Sequence, residues 1–216
     1  MATFLRRYTD ALSLIDILNN KRLSLLSPAH WYDQNDAFGL ELYRKRVGAA
    51  RVYALCFTDA AETGHHWQLF AGQNHGVCIM FDHSALRAHL DDFLQVLHGP
   101  VEYLNLSRLA ARSPIPDERL PFLKRETFAA EQEYRIVATE EAFFAADTYS
   151  IPLPLHLIKR ITLGPGMSRG IAETLKDLLC KQDGCADIPF AHSKLVNNAR
   201  WQEEILKGSR ISKRPI

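Results

Sequence analysis

A chain of 216 residues with 47% hydrophobic and 24% charged residues, 11 Gly and 10 Pro has an ordinary globular makeup, which excludes collagen-like, coiled-coil and disordered chains. A chain of this length buries roughly 70% of its unfolded surface around one core, and no linker marks off a second, so residues 1–216 are expected to form a single globular domain. With 26 Lys and Arg against 25 Asp and Glu, a formal charge of +1, a globally basic nucleic-acid wrapper is excluded and only local patches remain.

Ala11, Ile15 and Leu18 recur at helical spacing between a cap at Thr9 or Asp10 and a stop at Asn19-Asn20, which predicts an amphipathic helix over 10–20. A short strand over 23–26 comes next, and Ser27-Pro28 breaks it. Residues 29–36 (AHWYDQND) show no period and read as a loop before a short helix over 37–46. Arg51–Phe57 and Gly76–Phe81 are apolar runs without polar alternation, so both are expected centrally in a sheet, covered on two faces. Between them Trp67, Phe70 and Ala71 set a short helix over 64–74 that turns His65, His66 and Gln73 outward. Leu86, Leu90, Phe93, Leu94 and Leu97 predict a helix ended by Gly99-Pro100, and the proline-rich stretch 112–122 reads as a surface loop. Strands over 133–138, 149–154 and 157–163 precede a helix over about 168–181, capped by Ser168 and striped by Ile171, Leu175, Leu178 and Leu179. Such irregular interleaving of helices with short strands predicts an α+β fold rather than a doubly wound parallel sheet. Residues 207–216 carry Lys207, Arg210, Lys213 and Arg214 with no acid, a basic tail expected to be mobile and able to touch phosphate.

The four cysteines form no Cys-x-x-Cys pair, so neither a zinc cage nor a disulfide framework is expected, and a reducing cytoplasm fits. Asp10 and Asp16 interrupt the amino-terminal segment, which therefore does not read as a signal peptide. No run approaches the ~20 apolar residues of a membrane span, so no membrane partner is expected.

Three segments could carry chemistry. In F-A-A-E-Q-E-Y-R-I, residues 128–136, an extended chain would put Glu131, Glu133 and Arg135 on one face and Gln132, Tyr134 and Ile136 on the other; a solvated strand edge has the same spacing. His65, His66 and His75 lack any metal-ligand spacing, and a polar helix edge beside a buried Trp67 explains them equally well. G-P-G-M-S-R-G, 164–170, joins a strand to a helix start but misplaces the third glycine of a dinucleotide loop, and Pro165 removes a donor, so a structural turn is expected.

The ordered series Arg6-Arg7-Tyr8, Ser27-Pro28 with Asn35-Asp36, Cys56-Phe57-Thr58, His66-Trp67 with Gly76–Phe81, and Glu131–Ile136 resembles a bacterial family of uncharacterised proteins, domain of unknown function 2971 (DUF2971), over roughly residues 4–180. Two positions depart from that pattern: Ala37 stands where the family has Pro after Asn-Asp, and Phe128 where it carries Trp. More loosely the layout is similar to ADP-ribosyltransferases, which implies a split mixed or antiparallel sheet and NAD as substrate. Breaking the nicotinamide–ribose bond passes through an oxocarbenium-like species that a fixed carboxylate stabilises. The resemblance gives that role to Glu133 and positioning of the acceptor to Glu131. By the same resemblance Arg7 would grip an NAD phosphate, Tyr8 and Trp67 would stack on nicotinamide or adenine, and His66 would hydrogen-bond the ribose. The implied activity is mono-ADP-ribosylation of a macromolecule, nucleic acid or protein, by a bacterial toxin or antiviral effector whose partner would be an antitoxin. A non-catalytic module binding a nucleotide, nucleic acid or protein is the alternative, and it does not require Arg7, Trp67 and Glu133 to converge.

Overall fold

The computed structural model describes residues 3–72, 74–112, 114–141 and 147–208; Gln73 and the expected basic tail beyond residue 208 lie outside them. Strand β1 (Phe4–Asp10) runs into helix α1 (Ala11–Asn20), where Asp10 accepts a hydrogen bond from the Ser13 amide and so caps the helix. Lys21, in the left-handed region at φ 48°, turns the chain into β2 (Arg22–Leu26). Helix α2 (Gln34–Arg46) starts three residues earlier than its apolar pattern suggests. The Asp33 carboxylate takes the amides of Asn35 and Asp36, so the polar segment read as a loop is the capped first turn. Ala37 contributes there: its amide donates to the Asp33 carbonyl at 3.0 Å, a bond that a proline could not make.

The chain continues through β3 (Arg51–Thr58), α3 (Gly64–Phe70), β4 (Gly76–Asp82) and α4 (His83–Leu90). The helix expected to reach Leu97 ends at Leu90: Leu94 is 100% exposed, and Val96 opens strand β5 (Val96–Pro100), which contains the Gly-Pro pair. Next come strand β6 (Glu102–Leu104), α5 (Leu106–Ala110), a 3-10 turn over Asp117–Phe122 and β7 (Leu123–Arg125). The proline-rich stretch therefore ends buried, with Leu120, Pro121 and Phe122 packed inside. Strands β8 (Glu133–Glu140), β9 (Thr148–Pro152) and β10 (Ile158–Leu163), helix α6 (Arg169–Cys180), β11 (Phe190–His192) and α7 (Ala199–Gly208) complete the described chain. In α6 the buried stripe is Ala172, Leu175 and Leu179, while Ile171 and Leu178 face water.

The fold is α+β, with a mixed, split sheet. One edge of β3 pairs along its whole length with β8, from Arg51↔Glu140 to Thr58↔Glu133, and β5 lies beyond β8. The other edge meets β1 at Arg6↔Thr58 and β2 at Leu26↔Ala54. Leu55, Cys56 and Phe57 have no strand partner on that edge, and there the sheet opens. Beyond β1 lie β4, β10 and β11, and beyond β2 lies β9; β11 pairs parallel to β10, while the other ladders of this sheet are antiparallel.

Alternation gives the sheet two unlike faces. On one, Leu5, Leu55, Phe57, Phe81, Tyr134 and Ile136 form the main core with α1, α4 and α6. The other carries two separate apolar clusters. Val52, Ala54 and Val137 pack with Leu40, Tyr43, Leu120 and Phe122, and Tyr8 and Cys78 pack with Trp67 and Ala71. Between these clusters the same face presents Cys56, Thr58, Glu133 and Arg135, which register places side by side. The polar gap in that face adjoins the gap between the strands.

Candidate active site

A cleft of about 550 Å³ occupies the split, a volume typical of small-molecule sites. Its walls come from Arg6–Thr9 of β1, Leu55–Thr58 of β3, Trp31 to Asp33 before α2, and His66, Leu69 and Phe70 of α3; Asp36, Lys124, Phe128, Glu131 and Glu133 complete it. Arg7, Tyr8, His66, Glu131 and Glu133, dispersed in sequence, thus share one concave surface. Trp67 does not line it. The indole, 4% exposed, stands edge-on to Tyr8 at 5.0 Å and donates to Glu62 at 2.9 Å, so it supports the tyrosine from behind.

Glu133 opens β8, and its amide donates to the Tyr103 hydroxyl at 2.8 Å. Arg135 Nε donates to its Oε1 at 2.7 Å and Lys124 Nζ to its Oε2 at 3.1 Å. Burial alone would raise its pKa, but the charge and hydrogen bond of Arg135, the charge of Lys124 and the Cys56 thiol outweigh that and bring it down to about 2. Arg135 is fully buried. Its two terminal nitrogens grip Asp36 at 2.8 Å each, one of them also donates to the Pro121 carbonyl at 2.7 Å, and the Trp31 ring lies 5.1 Å from its guanidinium carbon. Asp36 on α2 and Glu133 and Arg135 on β8 are therefore parts of one ionic arrangement.

Glu131 is not on the strand. It closes a 3-10 turn over Glu126–Glu131, and Gln132, in the left-handed region at φ 42°, separates it from β8. The reading of Glu131 and Glu133 as alternate residues of one extended strand is thereby corrected. The two carboxylates still converge, because Lys124 Nζ reaches Glu131 Oε2 at 2.6 Å as well as Glu133. The Glu131 carbonyl accepts from the Thr58 hydroxyl at 2.6 Å and from His66 Nε2 at 3.2 Å, which anchors the turn. Burial raises the Glu131 pKa, the hydrogen bond and charge of Lys124 oppose it, and Glu133 and Asp36 add to it. Two carboxylates two residues apart are thus driven in opposite directions.

His66 is 1% exposed rather than part of an outward polar edge. Because a carbonyl can only accept, Nε2 carries the proton, and Nδ1 accepts from the Thr63 hydroxyl at 2.6 Å. Both ring nitrogens are thus engaged within the protein; burial lowers the pKa, and the neutral ring stacks on Tyr8 at 5.4 Å. What His66 offers the cleft is a ring face.

Alternation would send Arg7 away from the Tyr8 face, yet its guanidinium enters through the split, where Nη1 donates to the Cys56 carbonyl at 3.1 Å. Its Nε is buried without a partner, no carboxylate among the described residues pairs with it, and burial lowers its pKa, with Cys56 and Asp10 acting against that. Among the described residues this cation forms no ion pair, and Asp10 acts on it only at longer range, so its guanidinium is open to an anion in the cleft.

Sequence reasoning missed Lys124 altogether and noted Asp36 and Arg135 without joining them. Asn35-Asp36 and Tyr134-Arg135 were visible as motifs; Lys124 belongs to none, and nothing in the sequence shows that β7 delivers it. Among the described residues no helix is long and apolar enough to cross a membrane.

The fold and cleft define an α+β protein built around a buried ionic site. No family model matches the chain and no curated protein does, so the likeness to DUF2971 remains one of motif order. Among solved structures the chain is similar to DarT of Thermus sp. 2.9: in complex with NAD+, with TM-score 0.46 and 14% identity over 89% of this chain and 96% of that one, and in complex with ADP-ribosylated ssDNA, with TM-score 0.46 and 13% identity over 89% and 95%. A third, in complex with carba-NAD+, has TM-score 0.44 and 12% identity over 90% and 96%. Likenesses this distant assign no residue a role.

Proposed function

We propose that the chain transfers ADP-ribose from NAD to a macromolecular acceptor, with Glu133 stabilising the oxocarbenium-like species formed as nicotinamide leaves. The observation that supports this most directly is the pairing, across one cleft, of a buried carboxylate held ionised with an arginine that forms no ion pair among the described residues. Glu133 supplies fixed negative charge where positive charge develops, and Arg7 suits the pyrophosphate of the donor. Tyr8 and His66 offer ring faces for nicotinamide or adenine. Glu131, with its raised pKa, is suited to take the proton of the acceptor as the new glycosidic bond forms, so that nicotinamide departs as the neutral base and the proton passes to the carboxylate and then to water.

The rim favours nucleic acid over protein as acceptor. Tyr32, which lines the cleft together with Trp31, Phe70 and Phe128, is 98% exposed, and aromatic faces stack bases irrespective of sequence. Service as a toxin or antiviral effector with an antitoxin partner, and kinship with DUF2971, rest on the resemblance of motif order.

Incubation with labelled NAD, single-stranded oligonucleotides and cell lysate, reading nicotinamide release and acceptor labelling, tests the reading. Glu133→Gln should cut nicotinamide release by about two to three orders of magnitude, and Glu131→Gln should reduce labelling more than release. A folded Glu133→Gln protein that releases nicotinamide at the parent rate would sink the role given to Glu133, and a parent that releases none would leave a binding module.

A further inference from the structure

We infer that Lys124 is the positioning residue of the acceptor half of the reaction, holding the Glu131 carboxyl turned toward Glu133, so that its loss impairs transfer before it impairs nicotinamide release. The inference rests on the function proposed above and adds to it a residue outside every recognised motif.

Its support is geometric. Lys124 Nζ lies 2.6 Å from Glu131, 3.1 Å from Glu133 and 3.3 Å from Asp36, and the side chain is 9% exposed. The three carboxylates do not depend on it equally. Glu133 keeps Arg135 on its other oxygen, and Asp36 keeps both terminal nitrogens of Arg135. Glu131 has Lys124 as its one cationic partner among the described residues. Phe128 covers the outer side, its ring 5.2 Å from the ammonium.

The placement is built by a separate element. Strands β6 and β7 form a parallel ribbon apart from the main sheet, with Tyr103 opposite Lys124. The Tyr103 hydroxyl accepts from the Glu133 amide, while Lys124 donates to the Glu131 and Glu133 carboxylates. One ribbon therefore fixes both the backbone and the side chains of the Glu-x-Glu segment.

The groups around Glu131 determine how its carboxyl responds to removal of Lys124. Asp36 faces it from α2, Tyr103 from β6 and Glu133 from β8, while the Thr58 hydroxyl of β3 and His66 of α3 hold its carbonyl. Burial and two like charges already push Glu131 upward, and Lys124 is the opposing cation. Without it the Glu131 pKa moves further upward, while Arg135 still holds that of Glu133 down.

Lys124→Met and Lys124→Arg test this, with nicotinamide release, acceptor labelling and thermal unfolding followed from acid to alkaline pH. For Lys124→Met the ratio of labelling to release should fall, most strongly on the acid side, and recover as pH rises, whereas Lys124→Arg should restore it. A ratio that stays at the parent value, or equal pH-independent losses of labelling and release, would overturn the inference while leaving the proposed function intact. If the parent protein releases no nicotinamide the proposed function fails first. Carboxylate carbon NMR of folded parent and variant then decides separately: an upward move of the Glu131 titration supports the role of Lys124, and no move refutes it. Should Lys124→Met not fold, Lys124→Gln, which keeps a donor, serves in the same measurements.

Discussion

Asp36 grips Arg135 with both oxygens, and Arg135 grips Glu133, so a helix residue governs a strand carboxylate through one guanidinium. Asp36→Asn removes the charge but hardly the volume, leaving a buried arginine with one fewer counter-charge. Loss of one partner from a buried pair costs about 3 to 5 kcal/mol, and urea unfolding should show a loss of that order, with nicotinamide release falling as well. Unchanged stability would mean that Lys124 and Glu133 reorganise to compensate. The pH dependence of folding carries a second signature. The pKa of Glu133 is depressed to about 2, so its contribution is complete above the ordinary carboxylate range and is lost as pH falls from about 4.5 toward 2, on the order of 3 kcal/mol over the descent. Glu131 acts the other way: its pKa is raised, so the folded state takes up its proton first, and stability gained from it as pH falls is complete by the ordinary range. Glu133→Gln should therefore flatten the acid limb in a series of melts from pH 5 to pH 2 (roughly the interval the linkage spans), and an acid limb identical to the parent's would deny Glu133 its buried ionised state.

At the scale of elements, the glycine turn 164–170 shows what close packing demands. The Gly164 amide donates to the Gly76 carbonyl at 2.8 Å, and a Cβ on Gly164 would stand 2.7 Å from that same oxygen and 3.2 Å from the Trp67 ring. Gly164→Ala should force β10 away from the start of β4 and unseat the indole that backs Tyr8, at about 1 to 3 kcal/mol. Calorimetry should register that loss, and a melting temperature at the parent value would show that the turn has room to relax. The structural reading of this turn, the cap of α1, the double-sided burial of β3 and β4, and strand β8 were all readable, because each depends on periodicity or on a cap adjacent in sequence. The failures share a different cause. Phe93, Leu94 and Leu97 continued a helical spacing that β5 broke by pairing with β8, a contact distant in the chain. The prolines of 112–122 spoke for a surface loop, yet Pro121 is held inside by Arg135, which donates to its carbonyl. In the site, residue types at motif positions pointed to Arg7, Tyr8, Glu131 and Glu133, but the turn at Gln132, the burial of His66 and the arrival of Lys124 are products of tertiary packing, and no local pattern encodes them.

Over the whole molecule, the cleft lies between two sheet portions that meet across one edge of β3, with Arg7 contributed by β1 and Glu133 by β8. A ligand seated there bridges both portions and binds only when they are assembled, so NAD should stabilise folding by RT ln(1 + [L]/Kd), about 2.7 kcal/mol when its concentration is roughly 100 times Kd. For a chain of this size each kcal/mol moves the melting temperature by about 2 to 4 °C, so the rise should be roughly 5 to 10 °C. Arg7→Ala should diminish it, since a charge-assisted hydrogen bond contributes about 1.5 to 3 kcal/mol, and the rise is measured against the variant's own unliganded melt because the substitution also removes the bond to the Cys56 carbonyl. Glu133→Gln should behave differently. Its proposed task arises as positive charge develops rather than in the bound ground state, so the NAD-induced rise should persist while nicotinamide release collapses. Thermal melts of the parent and both variants, with NAD, ATP or an oligonucleotide at equal concentration, separate these outcomes. Stabilisation by ATP or the oligonucleotide with none from NAD would make the cleft a binding site for another ligand, with Arg7 serving its phosphate and Glu133 serving only the buried ionic cluster.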